Sequence, residues 1–383
     1  MGLSKAALFS HLFNPARRQA VLAVLLLWLL VNILLLTQQG IIITGEADKY
    51  IRMARYYLAN GHLLTPNLRY YSIIIFLLAF CMKFHLGFFP VVAVQMLVNL
   101  SATLYFFNTI RKIFHSEGVA LAGAILLLLN IPYQSFNTAV QSESIFQSLS
   151  LLASCYLLQR EQLRARHLIY ILLFVVLLSL SRPLGLLYIP AAFVYFYRTS
   201  LRHVGRIWRI TFLVASSLAF LFVLDRAMGS GGEYDFMLPF QEEHIICGTP
   251  TLLHPLNFPV VDNGNSVYAL IYYIFHHPGQ FFRLALLKTM SFWGLYRSYF
   301  STRHNLVLVL FFYPIIIMAA LSLRRWRRQQ PDRLIYLLTL ILVTWGTVVL
   351  TCDDWNIRVF LSISPYLILL SSPFLKKVLS RQE

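Results

Sequence analysis

The sequence predicts an all-α, polytopic integral membrane protein of about ten transmembrane helices, with juxtamembrane helices in its outer loops. Three observations carry that expectation. Of 383 residues, 58% are hydrophobic and 12% charged, about half the charge of an ordinary soluble domain. Apolar runs long enough, or nearly so, to cross a bilayer recur along the whole chain. Basic residues sit in knots between those runs, such as Arg324-Arg325-Trp326-Arg327-Arg328, and not in one patch. The net charge of +17 is then a topology label, and no nucleic acid partner is expected of it. A soluble enzyme behind a signal peptide and a disordered tail protein are excluded by the same composition.

The first run, 20–37, follows Lys5, Arg17 and Arg18, with no small-residue cleavage site close behind; it reads as a retained signal anchor. The start lacks the Ser or Thr of a myristoylation signal. Further runs cover 89–110, 117–132, 143–159, 167–181, 183–198, 207–226, 305–323, 333–351 and 357–375. Those meeting at Arg182-Pro183 and in 351–357 form tight hairpins. The stretch 71–86 is also apolar, but counting it as a span would put the later basic knots on the wrong side. It is read as interfacial. With the N-terminus inside, the inner pieces hold 20 Lys and Arg against four acids, and the outer pieces 12 against 11. That asymmetry is the one the positive-inside rule asks for, and it places both termini in the cytoplasm.

Residues 1–383 are thus expected to form a single transmembrane domain with two substantial outer loops, 38–86 and 227–304. The second opens with Gly229-Ser-Gly-Gly and carries Pro239, Pro250, Pro255 and Pro259. Its later part, 267–296, reads as one or two amphipathic helices along the membrane. Four cysteines are too few for a disulfide framework and too scattered for zinc. Cys247 and Cys352 both fall outside, where an oxidising compartment allows them to pair. No internal repeat supports an inverted-repeat transporter.

Ionisable groups near a membrane are costly and tend to be functional, so the outer acids are informative. Thr44-Gly45-Glu46-Ala47-Asp48-Lys49-Tyr50 follows the first run. Thr44 is placed to cap a helix starting at Gly45, with Ile51, Ala54 and Leu58 on one apolar face. Glu46 and Asp48 in the first turn suit the positive helix end, and a capping turn of acids explains them as readily as chemistry does. Glu143 heads an apolar helix on the same side, where it could serve only the helix dipole. Arg182-Pro183 caps the outer end of 167–181, where an Arg must snorkel or pair. Cys352-Asp-Asp-Trp-Asn-Ile-Arg358 puts two acids and an Arg at the outer mouth of the last hairpin. All four clusters face one compartment.

Taken in order, these motifs resemble the C-type (GT-C) glycosyltransferases, in particular their bacterial protein mannosyltransferase and lipid A aminoarabinose transferase group. The resemblance runs over the first two hundred residues and reaches Arg358 at the last span. It is carried by Glu46 with Asp48; by the spacing of Glu46, Tyr50, Ala54 and Leu58–Gly61; by Arg69-Tyr70-Tyr71; by Glu143; and by Arg182-Pro183. The chain departs from the pattern in having Glu first where Asp is commoner, and in lacking prolines after Arg69. Its C-terminal half is short, with no soluble outer domain.

The resemblance implies a GT-C-like fold in the bacterial inner membrane. It also implies transfer, on the outer side, of a sugar from a polyprenyl-phosphate donor to a lipid, glycan or protein acceptor. Such a displacement at an anomeric carbon needs a carboxylate to take the acceptor proton and cations to hold the leaving phosphate. Glu46 is the expected base, with Asp48 as alternative base or metal ligand. Tyr50 and Glu143 would contact substrate; Arg69, Arg182 and Arg358 would hold phosphate, with Lys288 and Arg297 in reserve. A single displacement inverts configuration. A divalent ion such as Mg or Mn is compatible, but no ligand spacing specifies one. The alternative reading is a lipid or small-molecule transporter or flippase, which would want its charges at mid-membrane depth.

Overall fold

The computed structural model describes residues 15–163, 165–201, 204–228, 237–249 and 266–380. Gly229-Ser-Gly-Gly, Pro250, Pro255 and Pro259 lie outside the described residues. Every apolar run of the sequence falls on helix. In chain order these are α1 (Pro15–Gln39), α2 (Glu46–Asn60), α3 (Ser72–Lys83), α4 (Phe89–Phe114), α5 (Glu117–Leu128), α6 (Glu143–Leu158) and α7 (Ala165–Ser181). Then follow α8 (Tyr188–Thr199), α9 (Arg206–Met228), α10 (Val267–His276), α11 (Pro278–Gly294), α12 (Thr302–Gln329), α13 (Pro331–Leu350) and α14 (Arg358–Leu379). Two isolated backbone bridges are the extended pairing among the described residues.

Six helices are long and apolar enough to cross a bilayer: α1, α4, α9, α12, α13 and α14. A seventh is obtained if α5 and the turn after it, bent by 66°, count as one span. The chain is an integral membrane protein. Three of the ten expected spans are shorter: α6 has 16 residues, α7 has 17 and α8 has 12, extended by a 3-10 turn at Pro183–Leu187. The stretch at 71–86 becomes α3, whose 12 residues rise about 18 Å, short of a hydrocarbon core about 30 Å thick.

The bundle is organised around α14. Every residue from Phe360 to Pro373 is buried, enclosed by α12, α13, α5 and α6. A helix apolar on all sides belongs in the centre of a bundle. Two of its polar side chains bond laterally: Tyr366 OH bonds Tyr188 OH at 2.7 Å and Ser154 Oγ at 3.0 Å, and Asn130 Nδ2 donates to Ser364 Oγ at 2.9 Å.

Between α5 and α6 the chain turns inward and stays buried from Tyr133 to Val140, apart from the half-covered Ser135. Buried backbone must find partners, and here side chains supply them. Gln95 Nε2 donates to the carbonyl of Ala139 at 2.9 Å, Asn137 to Asn32 Oδ1 at 3.1 Å, and Ser144 Oγ to Asn137 Oδ1 at 2.7 Å. Ile42, beyond α1, donates to Thr138 O at 3.0 Å and accepts from Val140 N at 2.9 Å. That bridge ties the approach to α2 to the approach to α6.

Cys247 and Cys352 form a disulfide, Cα to Cα 5.1 Å. Beside it Cys247 N donates to Asp353 O and Asp353 N to Ile245 O, both at 2.8 Å. The segment 237–249 is thereby fastened to the last hairpin. Cys247→Ser should lower stability by about 2–5 kcal/mol, read as unfolding midpoint in detergent. Wild-type protein should change gel mobility on reduction and the variant should not; unchanged wild-type mobility would remove the bridge.

Candidate active site

α2 begins where Gly45, at φ 66°, turns the chain, a conformation open to Gly and strained for other residues. Gly45 is itself the N-cap, without a side-chain bond, so Thr44 does not cap the helix as expected. Glu46 and Asp48 do occupy the first turn. Ala47, Tyr50, Ile51 and Ala54 form the buried face, while Leu58 is exposed. Gly61 ends the helix in the left-handed conformation, its N–H donating to Tyr57 O at 2.8 Å. The Leu-x-x-Gly element is thus a helix stop.

The two acids of the pair part company. Asp48 is half exposed and pairs with Arg52 one turn on at 2.7 Å, a surface ion pair of small worth. Glu46, 38% exposed, reaches Arg358 at the start of α14. The same Arg358 Nη1 donates to Glu143 Oε1 at 2.6 Å. Glu143, 1% exposed, also binds Arg182 Nη1. Residues 46, 143, 182 and 358 therefore make one continuous network.

Each member is held from behind. Asp354 accepts from Arg358 Nε at 2.8 Å and Nη2 at 2.5 Å, and from the backbone N–H of Asn356 at 2.9 Å. One carboxylate thus builds the turn and aims the guanidinium. Burial pushes Asp354 upward, but the hydrogen bonds and charge of Arg358 outweigh it and leave its pKa below the ordinary value. Arg182 heads the 3-10 turn at Pro183–Leu187, where Gly185 lies so close to the backbone of Leu178 that a Cβ would collide. Arg182 is 6% exposed, and its Nε has no acceptor among the described residues. Tyr50 packs on Tyr71 and shares a 3.3 Å hydrogen bond with Ser142 Oγ, next to Glu143. Burial first, then the charge of Glu143, raise its phenol well above the usual value.

The remaining expected residues fall into three groups. Arg297, 2% exposed, binds Asp353 at 2.5 Å and three backbone carbonyls. Burial outweighs that guanidinium and holds the Asp353 carboxyl above its ordinary pKa. Ser291 Oγ donates to Asp353 at 2.8 Å, so this pair braces the hairpin that carries Asp354 and Arg358. Lys288, one turn before Ser291, is 0% exposed and its Nζ has no hydrogen-bond acceptor among the described residues. It sits 4.0 Å from the centre of the Phe240 ring, and burial pulls its pKa down to about 7. Arg69 is exposed on the 3-10 turn Pro66–Tyr71, outside the network. The structural roles of Asp354, Asp353 and Gly185 were not legible beforehand; only the doubled acid before Arg358 gave a signal.

Among the described residues, no three His, Cys, Asp or Glu side chains come together as a metal site. Glu46 and Glu143, the nearest thing to a carboxylate pair, are bridged by the Arg358 guanidinium. The donor set does not fit a divalent ion there.

No protein-family profile and no curated protein matches the chain. One solved structure does: the archaeal oligosaccharyltransferase AglB from Archaeoglobus fulgidus, in complex with an inhibitory peptide and a dolichol-phosphate. The TM-score is 0.50 at 15% identity, over 97% of this chain and 52% of AglB. What the two share is a fold. The chain spans about half the length of that enzyme, and at this identity the likeness reaches the helical architecture alone.

Asp48→Asn should change stability by about 0.3–0.5 kcal/mol and leave any transferase rate nearly intact. A loss on the order of a hundredfold or more would instead make Asp48 the base.

Proposed function

We propose that the protein is a membrane glycosyltransferase that moves a sugar from a polyprenyl-phosphate donor to an acceptor hydroxyl on the outer side of the bacterial inner membrane. The observation that carries this reading is the Glu46–Arg358–Glu143–Arg182 network. It is a relay of two carboxylates and two guanidiniums, buried except at Glu46, on a fold shared with an oligosaccharyltransferase. Loops 38–86 and 227–304 face outside in this reading, and both termini are cytoplasmic.

In the reaction the acceptor oxygen bonds to the anomeric carbon. The bond from that carbon to the phosphate oxygen breaks, and its electron pair stays on the phosphate. Glu46 is the most exposed carboxylate of the network and takes the acceptor proton. Protonation neutralises Glu46 and releases its hold on Arg358 as negative charge gathers on the leaving phosphate. The guanidinium is then free to bind that charge. Glu143 cannot reach an acceptor without leaving both arginines, so it orients them. Arg182 Nε and Lys288 Nζ, buried donors with no acceptor among the described residues, supply further phosphate contacts. The displacement inverts the anomeric centre.

The test is incubation of purified protein with a panel of polyprenyl-phosphate sugars, with mass spectrometry of the products; no transfer from any donor would remove the reading. Topology has its own check. Cysteines engineered near residues 60, 240 and 354 should react with an impermeant reagent in intact cells. Those near 113, 163, 203 and 327 should not, and labelling near 163 would collapse the shared outer face.

A further inference from the structure

A cavity of about 670 Å³ opens beside the ion-pair network. Pro132, Phe136, Val307 and Leu361 give it an apolar wall. Its lining includes Ile42, Gln141, Asn356 and Ile357, each within four residues in sequence of Glu46, Glu143 or Arg358, and Asn356 N donates to the Asp354 carboxylate that holds Arg358. At its edge the exposed Arg303 stands beside His304, which stacks on Phe300 at 4.1 Å. No acid lines it among the described residues, so its fixed charge is positive.

We propose that this cavity seats the acceptor, and that the acceptor is a membrane amphiphile with a hydroxyl and an anionic head group. Two arguments select that occupant. The first is complementarity. An apolar wall on a helix whose neighbouring residues, Leu306 and Leu310, are apolar and exposed suits a hydrocarbon chain, and Arg303 at the edge suits a phosphate.

The second argument is stereochemical. Displacement with inversion brings nucleophile and leaving group to opposite sides of one carbon. The other cations do not line the cavity. Lys288 lies against Phe240, and the Phe240 cluster packs on Tyr70, beside Arg69, and on Leu186, beyond Arg182. None of those residues lines the cavity. On this proposal the Lys288 side takes the leaving phosphate, and the cavity takes the attacking hydroxyl.

The word acceptor rests on the transferase reading, but occupancy is measured without transfer. The probe is phosphatidylglycerol bearing a diazirine on an acyl chain, which combines hydroxyls, a phosphate and hydrocarbon. It is added at low mole fraction to the full protein in uncharged detergent, photolysed, and the adducts are mapped by mass spectrometry. Adducts should fall within 131–136 and 300–308. They should be displaced by unlabelled phosphatidylglycerol but not by phosphatidylcholine or polyprenyl phosphate.

Arg303→Gln, at an exposed site, should lower the yield about tenfold, the value of one charge-assisted bond. Val307→Trp, also exposed, should block labelling by filling the cavity. Labelling that ignores both variants, or that polyprenyl phosphate displaces, would overturn the assignment. Sugar transfer to a soluble peptide without lipid labelling would also overturn it. Lipid labelling with no transfer from any donor would instead remove the transferase reading and leave the lipid site standing.

Discussion

Glu46→Gln should lower sugar transfer about 10²–10⁴-fold at saturating donor. The substitution keeps the shape of the side chain and a hydrogen-bond acceptor for Arg358, and removes the basicity. Because Glu46 lies at a partly open helix start, the unfolding midpoint should move little and donor binding should persist. The measurement is product formed per unit time, by mass spectrometry, beside a donor-binding titration. A rate equal to wild type would place the base elsewhere. Glu143 would be the next residue to test, although it would have to give up contacts with two arginines.

Arg358→Ala should have the largest effect on stability and on activity together. One guanidinium serves three carboxylates, Glu46, Glu143 and Asp354. Its removal leaves Asp354, mostly covered, without its side-chain partner and the fully buried Glu143 with Arg182 as its remaining cation. Removing one partner of a buried pair costs about 3–5 kcal/mol, mostly through the charge left behind. Unfolding of the purified protein in detergent reads that loss. Arg358→Lys separates charge from geometry: an ammonium restores the charge but cannot span Asp354, Glu143 and Glu46 at once. It should recover part of the stability and little of the transfer. An alanine variant as stable and active as wild type would mean that the network organises nothing.

The helical elements were legible because apolar periodicity and span length are local properties. The runs at 89–110 and 305–323 recur as α4 and α12 with longer basic ends, since a helix continues past its apolar window. The interfacial reading of 71–86 came from charge balance, and α3 is too short to contradict it. Thr44 was misjudged because a left-handed Gly45 removes the geometry in which a preceding Thr could cap. The runs at 143–159, 167–181 and 183–198 recur as helices at the same places, shorter than the roughly 20 residues that cross a bilayer. The residues of α6 include Ser144, Gln147, Ser148 and Ser154, all buried, so this helix faces protein and not lipid over much of its surface.

The candidate residues were legible one at a time, through type and order along the chain. Glu46, Glu143, Arg182 and Arg358 each drew notice as an ionisable group beside an apolar run, and each had an ordinary explanation within its own helix. Nothing in the sequence says that Arg358 meets Glu46 across 312 positions, or that Asp48, two residues away, turns to Arg52 instead. The cost of burying a charge decides this. A guanidinium that the bundle encloses must find carboxylates, and α14 at the centre brings it to those at the heads of α2 and α6. Sequence alone therefore determined a membrane bundle with its chemistry-bearing residues gathered near span ends, because solvation energy acts on each residue separately. Tertiary structure decided which acid is exposed, which are paired and where a cavity remains, because pairing and exclusion depend on neighbours that only packing supplies.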